Sequence, residues 1–132
     1  MNKLSTSATA VAALLIGATL PVLGAGAAQA AGDDVIRRGS CSGSTDWKAK
    51  AKPDDGRIEV ESEIDSNRNG QTWHWTLKHN GDVAARGRST TRGPSGSFSV
   101  QRRTSNAAGS DSFTFRAVNR ASGEVCVAKV RL

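Results

Sequence analysis

The strictest alternation of apolar and polar positions falls in Gln71 to Arg88, QTWHWTLKHNGDVAARGR. Trp73, Trp75 and Leu77 alternate with Thr72, His74, Thr76 and Lys78, the period of a strand with one buried face. Asn80-Gly81 predicts the turn of a hairpin. Two closures compete. A two-residue turn pairs His79 with Asp82 and Leu77 with Ala84, but sets Trp75 opposite Arg86 on the buried face. A three-residue loop, His79 to Gly81 with the glycine left-handed in a bulge, pairs Leu77 with Val83, Trp75 with Ala85 and Trp73 with Gly87. The second register keeps the face apolar, puts small residues opposite both tryptophans and sets Lys78 against Asp82 outside, so it is the predicted one.

The same period predicts the other strands. Thr45 to Lys52 turns Trp47, Ala49 and Ala51 inward and three lysines outward; after a turn at Pro53-Asp54-Asp55-Gly56, Arg57 to Asp65 turns Ile58, Val60, Ser62 and Ile64 inward and three glutamates outward. A four-residue turn there pairs Lys52 with Arg57, Lys50 with Glu59 and Lys48 with Glu61. Such exposed contacts are worth at most about 1 kcal/mol each, and they account for the lysines without a ligand. Beyond the tryptophan hairpin, Ser97 to Arg103 buries Phe98 and Val100, and Asp111 to Asn119 buries Phe113, Phe115 and Ala117. In the last strand, Glu124 to Leu132, the buried set is either Cys126, Ala128 and Val130 or Val125 and Val127. Seven short strands, with no helix after the leader, predict an all-β antiparallel sandwich of immunoglobulin or fibronectin type, with a closed barrel as the second choice.

One loop resembles a metal site. Asp65-Ser66-Asn67-Arg68-Asn69-Gly70 matches the opening of a calcium loop, but the position that needs a bidentate glutamate is Thr76, the flanks are strands, and Arg68 adds positive charge. A plain turn is predicted, with no metal or other cofactor.

Composition changes the picture at the N-terminus. Met1 to Ala30 has one cation at Lys3, an apolar stretch and Ala28-Gln29-Ala30 as a small-x-small cleavage site, and it predicts a secretory signal peptide. Glycines, Pro21 and that cleavage site argue against a membrane anchor. Cleavage leaves 102 residues (132 − 30), with 31–43 predicted as a flexible leader and 44–132 as one domain, secreted or loosely associated with the cell envelope. Losing Lys3 takes the formal charge from +6 to +5. Only 16 mature residues are Val, Ile, Leu or Phe, few enough to raise disorder, which the alternation and the modest charge oppose. Cys41 precedes the first predicted strand and Cys126 lies in the last. In a secreted chain two cysteines pair most simply, and neither a CxxC spacing nor a nearby histidine supports a metal or reactive-thiol role.

The string CSGSTDWKAKAKPDDGRIEVE, the W-x-W-x-L-x-H-N-G hairpin and the closing GEVC resemble a group of small secreted actinobacterial proteins. The resemblance spans the mature chain. It implies secretion and a β-fold and carries over no site residues.

Candidate chemistry is sparse. No serine sits in a G-x-S-x-G elbow, and no HExxH or zinc spacing occurs. A non-catalytic role is predicted; a small hydrolase, centred on the outward His74, is the least favoured alternative. Charge is more informative. Val83 to Gly109 holds Arg86, Arg88, Arg92, Arg102 and Arg103 and no acid. With His74, these predict a basic patch for an anionic envelope or extracellular polymer. Nucleic acid is not favoured, because exposed aromatic residues for base stacking are missing. The bland alternative is a solvated basic face, and a different class is a module that holds a secreted protein partner through loops or a sheet edge. Salt separates polymer binding from an apolar interface.

Overall fold

A computed structural model describes residues 33–132; the predicted signal peptide and its cleavage site lie outside the described residues. Eight strands follow one another without a helix among those residues: β1 (Val35–Ser40), β2 (Asp46–Asp54), β3 (Arg57–Asp65), β4 (Thr72–His79), β5 (Asp82–Thr90), β6 (Ser97–Ser105), β7 (Ser112–Val118) and β8 (Val125–Arg131). All pairings are antiparallel. Sheet A has the order β1-β2-β3-β6 and sheet B the order β5-β4-β7-β8; they remain two separate sheets, so no closed barrel forms.

The inward positions of the two sheets meet in one core. Trp73, Trp75 and Leu77 of β4, Phe113, Phe115 and Ala117 of β7, and Cys126, Ala128 and Val130 of β8 face Ala49, Ala51, Ile58, Val60, Ile64 and Val100 of sheet A. Of the two faces open to β8, the one carrying Cys126 is buried. Trp75 stacks on Phe115 with ring centroids 5.4 Å apart. Trp47, predicted inward, is only half-buried.

Three expectations need correction. The 31–43 leader contains β1, paired with β2 from Val35↔Ala51 to Ser40↔Asp46, which makes the strands eight instead of seven. Its inward positions are Val35, Arg37 and Gly39, a set with no apolar alternation. Gly39 lies opposite Trp47, whose Cζ2 is 2.5 Å from where a Cβ would stand, so a bare backbone is what lets β1 close on the indole.

The β2–β3 hairpin closes more tightly than predicted. Asp55 and Gly56 have φ of 49° and 77° and make a two-residue turn of the kind whose twist matches the strands. The pairs are Asp54↔Arg57, Lys52↔Glu59, Lys50↔Glu61 and Lys48↔Glu63. The slip from the predicted register is an even number of residues, so every side chain keeps its face. Lysines still oppose glutamates, and Lys52 reaches Glu59 at 3.5 Å.

In the β4–β5 hairpin the predicted three-residue loop gives way to the two-residue turn, followed by a shift of register. Asn80 and Gly81 both have positive φ, 49° and 88°, so the two-residue turn forms and His79 pairs Asp82. A bulge then follows, and Leu77 pairs Ala85, Trp75 pairs Gly87 and Trp73 pairs Ser89. The turn obeys its local chemistry, and the extra residue in β5 returns the apolar side chains to the core. Small residues do lie opposite both tryptophans: Trp75 Cζ2 is 2.7 Å from where a Cβ on Gly87 would stand, and Trp75 Nε1 donates to Ser89 Oγ at 3.1 Å.

The predicted disulfide is present. Cys41 follows β1 and Cys126 lies in β8, so the bridge joins the β1–β2 connection of sheet A to sheet B. Asp65 to Gly70 is the predicted turn: Asp65 Oδ1 accepts from Asn67 N at 3.1 Å, and Gly70 N donates to Thr91 O at 2.7 Å.

Candidate anion-binding face

In a sheet, directly paired residues share a face, so the registers of β4 decide which side chains surround His74. His74 pairs Arg88 of β5 on one side and Val118 of β7 on the other; Thr76 pairs Arg86 and Arg116 in the same way. Trp75 and Leu77 point into the core, and His74 and Thr76 therefore point out. Arg120 lies two residues beyond Val118. Together His74, Thr76, Arg86, Arg88, Arg116, Val118 and Arg120 line an open concavity of about 720 Å³ on the outer face of sheet B.

The arginines predicted from sequence do not converge on one face. Arg86 and Arg88 stand beside His74 as expected. Arg92, in the loop after β5, lines a smaller depression with Arg88 and Phe98. Arg102 is at an inward position of β6 but at the open edge of the sandwich, where its guanidinium sits 5.3 Å over the Trp75 ring, a cation–π contact that covers the core. Arg103 points out of sheet A, where its Nε is 3.1 Å from Asp54 Oδ2. The residues missed are Arg116 and Arg120, which lie far along the chain and reach β4 only through the β4–β7 pairing.

The two outer faces differ in charge balance. On sheet A, Lys48, Lys50 and Lys52 lie directly opposite Glu63, Glu61 and Glu59. The four strands of sheet B contain Lys78, Arg86, Arg88, Arg116, Lys129 and Arg131 against a single acid, Asp82, at the hairpin end. The field of this unbalanced face acts on His74. Partial burial, then Arg120, then Arg88 hold its pKa below the ordinary 6.5, because each disfavours the imidazolium.

His79, predicted in a turn, instead ends β4. Its ring stacks on Phe113 with centroids 4.6 Å apart, and its Nε2 lies 2.6 Å from Oδ1 of the buried Asp111. Asp111 Oδ1 also accepts from Ala107 N at 3.1 Å, so the pair fastens the β6–β7 loop to the tip of the hairpin.

At the opposite end, the segments around the two cysteines are stitched together by Glu124. Its carboxylate accepts from Thr45 Oγ1 at 2.6 Å, Thr45 N at 3.0 Å and Gly43 N at 2.9 Å. Ser42 N donates to Val125 O at 2.9 Å, and Val125 N to Ser42 Oγ at 2.9 Å. Burial alone would raise the Glu124 pKa, but the hydrogen bonds from Thr45 and Gly43 outweigh it and hold the carboxyl below the ordinary 4.5. A depressed carboxylate adds stability that is complete above its unfolded pKa and is lost as pH falls through its folded one. Glu124→Ala is therefore expected to cost about 1–2 kcal/mol at neutral pH. The gap from the parent should close as the pH drops below 4.5, as followed by urea unfolding across a pH series; a gap constant with pH would assign Glu124 a packing role only.

Comparison of the chain with protein-family models, with curated proteins and with solved structures finds no match.

Proposed function

We propose that the protein is a secreted, signal-cleaved, non-catalytic domain that binds an anionic envelope or extracellular polymer on the outer face of sheet B. The observation that carries this is the placement of Arg86, Arg88, Arg116 and Arg120 around His74 and Thr76 on a face whose strands hold one acid. Guanidinium groups suit phosphate, sulfate and carboxylate through paired donors. The Cys41–Cys126 bridge fits an oxidising, extracellular setting, and the resemblance to small secreted actinobacterial proteins points the same way. No helix among the described residues is long and apolar enough to cross a membrane.

With β1 set aside and lettering begun at β2, the order β2-β3-β6 over β5-β4-β7-β8 reads A-B-E over C′-C-F-G, which supports a sandwich of immunoglobulin or fibronectin type with its fourth strand moved to the C-F-G sheet. The disulfide departs from that family's usual bridge between strands B and F. A second role, capture of a secreted protein by strand addition, draws on the outer edges of β5 and β6, which no other described strand pairs.

The test is retention of the mature protein on isolated cell-envelope fractions across a salt series. Salt-sensitive retention that is lost on changing the four arginines to glutamine supports the polymer reading. Retention indifferent to salt supports a protein partner instead, and no retention at low salt removes the polymer.

His74 adds a pH signature. A bound anion offsets Arg88 and Arg120 and so raises the His74 pKa, which the free face holds low, and by linkage binding becomes tighter as pH falls through the histidine's titration range. In His74→Gln the affinity should lose that acid-side rise while keeping its salt dependence. An unchanged pH profile in the variant would place the titrating group elsewhere.

A further inference from the structure

Resting on that reading, we infer that the ligand is a single extended chain of aliphatic phosphodiesters lying along β4, held between two arginine rows. Three observations lead there.

The first is the shape of the charge. β5 and β7 flank β4, so Arg86 and Arg116 stand on opposite sides of Thr76, about 9.6 Å apart across two strand spacings. Beside His74, Arg88 stands on the β5 side and Val118 on the β7 side, and Arg120 extends the β7 row from the turn that follows the strand. The floor between the rows is Thr72, His74 and Thr76, which bring hydroxyl and imidazole groups and no fixed charge above the His74 pKa. Such a channel admits one chain with its charges directed to both sides, whereas a duplex is wider than the whole arrangement.

The second is the repeat along the strand. Arg86 and Arg88 are two residues apart on one face, about 6.8 Å, which is of the order of the phosphorus–phosphorus repeat in an extended phosphodiester. Successive phosphates can therefore each meet a guanidinium, with a pair of parallel hydrogen bonds apiece. Thr72 and Thr76 are placed to bond the hydroxyl or ester oxygens between them.

The third is what the face lacks. Outward positions of sheet B carry serine, threonine, valine, lysine, arginine and His74, and all three tryptophans and all three phenylalanines lie in the core or packed against it. Aromatic platforms of the kind that single-strand binders use are missing. A base would find no surface to stack on, so the bases of an oligonucleotide should add nothing to its phosphates.

The experiment uses the intact, oxidised mature protein. Three probes are titrated at low salt: a synthetic propanediol phosphodiester oligomer, a single-stranded DNA oligomer with the same number of phosphates, and polygalacturonate, a carboxylate polymer. Backbone amide shifts are followed by NMR. The inference expects the propanediol and DNA oligomers to bind within about a factor of three of one another, because stacking adds no free energy here. It expects polygalacturonate to bind more weakly than either, and the largest shifts to fall on Thr72, His74 and Thr76. Arg86→Gln and Arg116→Gln should each weaken the oligomer, and Arg103→Gln should not. DNA binding tenfold or more tighter than the propanediol oligomer would overturn the aliphatic assignment, and so would shifts centred on β6 or sheet A. Binding of polygalacturonate alone would overturn the phosphodiester while leaving an anionic-polymer function in place. Failure of all three probes would remove both.

Discussion

Replacing Cys41 and Cys126 together by alanine is expected to lower the unfolding free energy by about 4 kcal/mol. The bridge spans 85 residues, and the chain-entropy argument gives about 4 to 5 kcal/mol for a loop of that length. Against a total stability of roughly 5–15 kcal/mol for a small domain, that is a large share. The core explains the need. It is built from few large side chains, with alanines at Ala49, Ala51, Ala117 and Ala128. The bridge also ties the two sheets at the end where Glu124 and Ser42 already join the chain segments. Urea unfolding checks it: the midpoint should fall, and the slope should rise as the unfolded chain expands. A loss below about 1 kcal/mol would mean that the hydrogen bonds around Glu124 hold that end without help.

Gly96→Ala is expected to be nearly as damaging, at roughly 3 kcal/mol or more. Gly96 has φ of +71°, and a Cβ there would run into the backbone nitrogen of Arg68 and come within 2.6 Å of the Asn67 carbonyl carbon. Backbone cannot swing aside as a side-chain tip can. The contact is part of how the β5–β6 crossing locks onto the turn after β3, where Ser66 N donates to Gly96 O at 3.0 Å. Gly109 is the control: its φ is +86°, but nothing lies within 4 Å of its would-be Cβ. Gly109→Ala should therefore show only the conformational cost, about 1 kcal/mol. Thermal unfolding of the two variants separates them, and equal losses would show that steric overlap at Gly96 is relieved by movement of the 66–69 turn.

Much of the fold was legible because one face of most strands is apolar. The limits of β3 and the inward sets of β3, β4 and β7 follow from alternation alone. Register was harder, because it depends on turn chemistry and facing together. At Asn80-Gly81 the turn demanded two residues and the core demanded a different phase, and a bulge after the turn satisfied both. β1 was invisible because VIRRGS has no alternation; pairing with β2 and the space left by Gly39 make it a strand.

The candidate site was half legible. Arg86, Arg88 and His74 share one hairpin, so local register places them together. Arg116 and Arg120 join them through β7, a pairing that no local pattern encodes. Arg102 and Arg103 are adjacent in sequence and therefore point to opposite faces of β6, one over Trp75 and the other to Asp54. A run of basic residues in a strand protein splits between its faces, and only topology says which halves meet.

We propose that the location of charge, beyond its amount, makes the outer face of sheet B a binding surface. Two charge-matched variants test it most directly, one with Arg86, Arg88, Arg116 and Arg120 changed to glutamine and one with Arg37, Arg38, Arg57 and Arg103 changed. Affinity for inorganic polyphosphate is measured for both and for the parent over a range of salt. The sheet B variant should lose about three units of the slope of log affinity against log salt. The other variant should keep the parent's slope to within about one unit. Equal losses in the two would reduce the face to a share of the net charge and contradict the account.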